Sequence, residues 1–204
     1  MLTWRQSKMH WSAEGLVYRV WQKLHRIKVR ILWKSVRKLL KKIGEGDRVV
    51  EVPTIMGPKH IEIGKNCFIG AGVRMEAWEK YHESIYSPEI CIGDNVTLTD
   101  RCYISCVDKV VISDNVLLGR DVFVTDNSHG TFQDIDIPPV GRMLFSKGQV
   151  TIGRNVWIGR NSTILSGVTI GENSIIGANS LVNRDIPANC MAAGSPATII
   201  KMKE

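Results

Sequence analysis

No run of eighteen uncharged apolar residues occurs in the sequence, so no segment reads as a membrane-spanning helix. The first twenty residues lack the apolar stretch of a secretory signal, being interrupted by Arg5, Lys8, Glu14 and Arg19, and export by that route is not expected. Aromatics are only 7% and glycines 18 of 204 residues, which excludes collagen-like and low-complexity chains. Cysteine is sparse and odd in number: Cys67, Cys91, Cys102, Cys106 and Cys190 cannot all pair and form no double CxxC pattern. They read as reduced, mostly buried thiols of a cytoplasmic protein, with a catalytic or metal-binding cysteine as the alternative. A hydrophobic content of 44% with 23% charge is enough to bury a core, and the length suits one domain or one plus an appendage.

Acidic residues are nearly missing from one end. Residues 1–43 hold twelve Lys and Arg against the single acid Glu14, a net of +11, so the rest of the chain carries −4 of the total +7. In this segment Leu16, Val17, Val20, Trp21, Leu24, Ile27, Ile31 and Leu32, then Val36, Leu39, Leu40 and Ile43, recur at steps of three and four. That spacing predicts an amphipathic helix, with a start signal at Ser12 and a stop at Gly44. Two readings stay open: residues 16–43 lie on an anionic membrane surface, or the apolar face packs on the body or on a partner chain. Nucleic-acid binding is not expected, because no recognised module accompanies the charge.

From residue 63 the chain returns every six residues to an aliphatic, often followed by glycine. The hits are Ile63, Ile69, Ile92, Leu98, Ile104, Ile112, Leu118 and Val124, then Ile152, Ile158, Ile164, Ile170, Ile176 and Val182. Four residues after each stands a small or β-branched residue, among them Cys67, Val73, Val96, Cys102, Val116, Val156, Ser162, Ser174 and Ser180. A period of six fits neither a helix nor a long strand, but fits short strands joined by tight corners. Three hexads make one coil, with the aliphatics pointing into a prism, Gly or Asn at the corners, and parallel coils about 4.8 Å apart. Five coils follow, at 63–80, 92–109, 112–129, 152–169 and 170–187.

The repeat resembles that of the hexapeptide-repeat acyltransferases over about residues 50–201. The resemblance implies a mainly β fold, a left-handed parallel β-helix. It divides the chain into a basic helical segment, 1–45, and an acyltransferase domain, 46–204, with loop insertions near 76–91 and 125–151. It also implies acetyl-CoA as acyl donor and a homotrimer with each site between two subunits.

A repeat places unusual residues where its period slips. Between Met75 and Ile92 the step is seventeen residues, between Ile104 and Ile112 eight, and between Val124 and Ile152 twenty-eight. The last slip holds Asp126-Asn127-Ser128-His129-Gly130, then Pro138-Pro139 and Ser146-Lys147-Gly148. Capsule and lipopolysaccharide O-acetyltransferases carry similar runs, and the resemblance makes His129 the general base. Acyl transfer from a thioester needs a group that takes the hydroxyl proton and returns it to the leaving thiolate, which one imidazole can do. Asp126 and Asn127 could bind acceptor or orient His129, or form a self-satisfied turn. His82, in the first slip, could approach the acceptor.

The C-terminal part resembles galactoside and maltose acetyltransferases without a gap, through Asn155-Val156-Trp157-Ile158-Gly159, the run Ile176–Pro187, and Ala193-Gly194-Ser195-Pro196-Ala197. Coenzyme A contacts implied by that resemblance fall on Trp157, Arg160, Ala178, Asn183, Arg184, Thr198 and Lys201. Three depart from the common pattern: Asn183-Arg184 replace Thr-Lys, Thr198 replaces a cation and Arg160 a small residue. The reaction expected is acetylation of a sugar hydroxyl, in a polysaccharide or lipid-linked glycan precursor at the inner face of the membrane. Serine or xenobiotic O-acetylation and a non-catalytic scaffold are the alternatives. The zinc carbonic anhydrases of this fold need three imidazoles around one metal, and the absence of a second histidine one hexad from His129 argues against that site.

Overall fold

The structure is a computed structural model that describes residues 13–203; the start signal expected at Ser12 lies outside them. Helix α1 spans Ala13–Val36 and is followed by a 3-10 turn at Arg37–Leu39. The helix therefore ends before Ile43, where the spacing had carried it. Leu40 is buried with an extended backbone, and Arg37 donates to the Gly44 carbonyl at 2.8 Å. Lys42–Ile43 then pairs in parallel with Glu62–Ile63, whose edge offers backbone partners that a longer helix would leave unmet.

From there the chain winds as a left-handed parallel β-helix with three faces. The first face stacks Lys42–Ile43, Ile61–Ile63, Glu89–Ile92, Lys109–Ile112, Val150–Ile152 and Thr169–Ile170. The second stacks Arg48–Val49, Phe68–Ile69, Thr97–Leu98, Leu117–Leu118, Trp157–Ile158, Ile175–Ile176 and Cys190–Gly194, with Ala197–Met202 folded back antiparallel at its end. The third stacks Thr54–Met56, Arg74–Ala77, Tyr103–Cys106, Phe123–Thr125, Thr163–Ile164 and Leu181–Val182. One turn, through Ile43, Val49 and Ile55, precedes the hexads counted from residue 63, and it keeps the step of six.

Register follows the repeat. Ile63, Ile92, Ile112, Ile152 and Ile170 stand one above another, and so do Met75, Ile104, Val124, Ile164 and Val182. All are buried, as are the small residues of the second register. Each aliphatic removed from water stabilises the prism by roughly 1.5–3 kcal/mol before entropy is counted.

The corners divide the work between two residue types. Asn66, Asn95, Asn115, Asn155, Asn173 and Asn189 have φ of 56 to 59°, and their side-chain amides form a ladder of hydrogen bonds from coil to coil. Glycine serves close approach instead: a Cβ on Gly159 would stand 2.5 Å from the Ala178 nitrogen of the next coil. All five cysteines are free thiols, and Cys67, Cys102, Cys106 and Cys190 are buried. No helix of the described residues is long and apolar enough to cross a membrane.

Candidate active site

All three slips of the period open on one edge of the prism, between the third and first faces. The first leaves after Ala77 and returns at Glu89, turning through an antiparallel pair in which Lys80 faces Ile85 and Tyr81 faces Ser84. The third leaves after Thr125 and returns at Val150; it opens with Ser128–His129 paired antiparallel to Leu144–Phe145. The short slip at Val107–Asp108 supplies the backbone amides to which the third is anchored.

That anchor is the carboxylate of Asp126, fully buried. It accepts from the Val107 amide at 2.9 Å, the Asp108 amide at 2.8 Å and the Cys106 thiol at 3.2 Å. Burial, and then the neighbouring Asp126 charge, push the Cys106 thiol pKa up, so Cys106 stays protonated and donates. Asp126 thus fixes the root of the loop that carries His129 to the preceding coil. Asn127 bridges the same region, donating to the Ser105 hydroxyl at 3.1 Å and to Asp126 at 3.0 Å. Ser166, one coil further on, donates to the Asp126 carbonyl at 2.7 Å and accepts from the Lys147 amide at 2.7 Å, closing the loop at its exit.

His129 projects beyond this anchored root and is exposed. Its imidazole has no hydrogen-bond partner among the described residues and stands edge-on to Tyr81, ring centroids 5.5 Å apart. Tyr81 is held in turn, its hydroxyl donating to the Val140 carbonyl at 3.0 Å. A ring nitrogen of His82 lies 2.7 Å from that same oxygen, and Tyr86 donates to the Leu144 carbonyl at 3.0 Å. The two large insertions therefore clasp each other, and the side chains of the first hold the backbone that presents His129. His82 is exposed and takes part in the clasp. Beyond it the loop is shaped by Thr131 and Asp134, which cap each other; the Thr131 amide holds the Asp134 carboxyl below its usual range.

The third face adds a polar row beside this edge. Glu76 is buried, ion-paired with Arg74, and accepts from the Tyr103 hydroxyl at 2.6 Å. The Arg74 guanidinium lies 4.9 Å from the Tyr103 ring centroid. Burial, then Glu76, push the Tyr103 phenol up to about 12, so it remains a donor at neutral pH. Glu76 pairs in register with Ser105, and Ser105 with Thr125, so the row leads to the loop root. Sequence reasoning did not single out Glu76, Tyr103, Tyr81 or Tyr86. The aromatic density of residues 78–86, a loop that a hydrophilic connection would not need, was the available signal for the last two.

The residues expected to meet coenzyme A are exposed and fall on three corners. Arg160 and Ala178 stack at the edge between second and third faces, joined by the Asn179 amide to the Arg160 carbonyl at 2.9 Å, and Arg160 approaches Asp121 at 3.8 Å. Thr198 pairs with Ala193 at the same edge, while Trp157 stands half exposed on the second face between Leu117 and Ile175. Asn183 and Arg184 follow Leu181–Val182 on the edge that carries the His129 loop, whereas Lys201 pairs with Met191 at the opposite end of the second face. The cations Arg160, Arg184 and Lys201 suit phosphates, and Ala178 leaves room for a chain lying along the coils.

Comparison with known proteins agrees with the fold. The pattern described as Bacterial transferase hexapeptide (six repeats) matches residues 149–184, and Hexapeptide repeat of succinyl-transferase matches residues 60–74. The chain is 37% identical over 161 residues to the putative lipopolysaccharide biosynthesis O-acetyl transferase WbbJ of Escherichia coli K12, covering 76% of this chain and 78% of that protein. It is 40% identical over 121 residues to the galactoside O-acetyltransferase of E. coli K12, covering 57% of this chain and 55% of that protein, about half its length. A solved galactoside acetyltransferase in complex with coenzyme A superposes with a TM-score of 0.54 at 28% identity, covering 82% of this chain and 67% of that one. The chain belongs to the hexapeptide-repeat acetyltransferases, left-handed β-helix enzymes that take their acetyl group from acetyl-CoA.

Proposed function

We propose that this protein is an O-acetyltransferase that moves the acetyl group of acetyl-CoA to a hydroxyl of a sugar, within a polysaccharide or lipid-linked glycan precursor. The observation that carries the reading is the exposed imidazole of His129 beside the anchored root of a long insertion on an acetyltransferase scaffold. The lipopolysaccharide-biosynthesis name of the relative 37% identical over 161 residues supports the choice of acceptor.

His129 accepts the proton of the acceptor hydroxyl as its oxygen bonds to the thioester carbonyl carbon. The carbon–sulfur bond then breaks, and the imidazolium returns the proton to the leaving thiolate. The clasp of Tyr81 and Tyr86 keeps the imidazole in place, so less of the barrier goes into ordering it. Asn127, turned toward Ser105 at the loop root, borders the acceptor side. Arg160, Arg184 and Lys201 hold phosphates of the donor.

The site is completed by a second subunit of a homotrimer. Phe132, Ile135 and Val140 on the insertion that carries His129, and Ile85 on the one clasped to it, are exposed at 82, 59, 72 and 83%, apolar surface that a partner subunit would cover. The enzyme works on the cytoplasmic side, where acetyl-CoA is available.

Acetyl transfer to a panel of sugars, amino sugars and sugar lipids tests the reading, with the product treated with hydroxylamine. A hydroxylamine-labile acetyl on a sugar supports it. A stable amide on an amino sugar replaces it with N-acetylation.

A further inference from the structure

Helix α1 turns three different faces in three directions. One face holds the body: Val29 and Trp33 are buried and Val36 packs on the core. Beneath it the Trp33 indole donates to Asp47, and Arg37 pairs with the same carboxylate at 3.3 Å. These contacts fix the helix along the first turn of the prism.

The opposite face is apolar and bare. Leu16, Val20, Leu24, Ile27 and Ile31 run along it at steps of three and four, exposed at 60, 50, 61, 46 and 62%. Val17 and Leu32 are exposed as well, and Trp21, also exposed, lines the groove between the helix and the body with Val29, Trp33 and Val49. Between this stripe and the body runs a row of cations, Lys23, Arg26, Arg30 and Lys34, which make no ion pair among the described residues. Lys28 lies on the other flank of the stripe.

We infer that α1 is an interfacial anchor that lies in the surface of an anionic bilayer. The stripe enters the acyl boundary, and the cationic row, pointing sideways, meets the headgroup phosphates. The 24 residues extend about 36 Å, enough to lie along a membrane beside the β-helix. Charge decides between a bilayer and a second copy of the chain. Val17, Val20, Leu24, Ile27 and Ile31 also have coiled-coil spacing, but the positions flanking that seam are Lys23, Lys28 and Arg30, which set like charges against each other between identical helices. The same cations attract a negatively charged lipid surface. The apolar arc, from Leu16 round to Val17, is also wider than a two-residue seam requires.

The experiment is sedimentation of the whole protein with vesicles of phosphatidylglycerol and phosphatidylethanolamine, and with vesicles of phosphatidylcholine alone. The inference expects the protein to pellet at least tenfold more with the anionic vesicles. Leu24→Gln with Ile27→Gln abolishes pelleting, and Lys23→Glu with Arg30→Glu reduces it severalfold. These side chains are exposed, so thermal melting of both variants stays at the native midpoint. Absence of pelleting, equal pelleting on phosphatidylcholine, or variants that pellet like the native protein overturns the inference. A change in subunit number for the Leu24→Gln, Ile27→Gln protein in light scattering also overturns it, and gives the stripe to a second copy.

Discussion

The ring of Tyr81 stands edge-on to the imidazole of His129, 5.5 Å between centroids, while its hydroxyl is bonded at 3.0 Å to the Val140 carbonyl of the insertion that carries that histidine. One residue of the first insertion thus touches both the His129 side chain and the loop behind it. Tyr81→Phe keeps the ring and loses one hydrogen bond of about 1 kcal/mol, so kcat falls about fivefold. Tyr81→Ala removes both contacts and falls at least tenfold further. Because Tyr81 positions rather than binds donor, KM for acetyl-CoA stays within about twofold in both. Steady-state kinetics with acetyl-CoA varied distinguish this from a binding defect.

Asp126 is the fold's means of attaching the loop, and removing it leaves the buried Val107 amide and Cys106 thiol, and the part-buried Asp108 amide, without their partner. Asp126→Ala costs on the order of 3 kcal/mol, which lowers the midpoint of thermal unfolding by about 6–12 °C for a chain of this size. Differential scanning calorimetry checks it. A midpoint equal to the native one would mean that the anchor holds nothing.

Gly159→Ala puts a methyl group where the Ala178 nitrogen of the next coil stands at 2.5 Å. Backbone cannot move aside in a stacked prism, so overpacking of about 1–3 kcal/mol is expected. Gly148→Ala is the contrast in space, since nothing lies within 4 Å of the added atom, but its φ of 124° costs strain instead. Urea unfolding measures both.

Cys102 sits in the inward register where Ser162 stands two coils later, and burial pushes its thiol from 9.0 to about 11. The folded form resists ionisation that the unfolded chain accepts, so the thiol's contribution is intact below pH 9 and is lost as pH rises toward 11. Cys102→Ser cannot ionise and keeps a donor for the Gly119 carbonyl, which Cys102 reaches at 3.3 Å. Melting at pH 7.5 and 10.5 therefore shows a smaller alkaline loss in the serine variant than in the native protein.

The prism was legible because each hexad repeats one local problem. Ile158 and Ile176 face inward for the same reason as Ile63, and asparagine marks the corner because it tolerates the left-handed backbone there. The first turn escaped because Val36, Leu39, Leu40 and Ile43 satisfy both a helical step and, from Ile43, a step of six. Nothing local separates the two, and the edge of Glu62–Ile63 decides. His129 was visible as the motif residue in the longest slip. Its surroundings were not, since Tyr81 reaches it, and Tyr86 reaches its strand partner Leu144, from more than forty residues earlier in the chain, through contacts that no spacing encodes. Asp126 was visible as a polar turn residue, but its partners Val107 and Asp108 are backbone amides and leave no mark in a sequence.

The central claim, that His129 is the base of an acetyl-CoA-dependent transfer, is tested most directly by release of free thiol from acetyl-CoA with and without sugar acceptors, comparing native protein and His129→Ala. Acceptor-dependent release in the native protein that falls by about 10²–10⁴ in the variant, with acetyl-CoA binding unchanged by calorimetry, is the predicted result. Equal acceptor-dependent release by both proteins would contradict the assignment of His129 and leave the chemistry to another group on the scaffold.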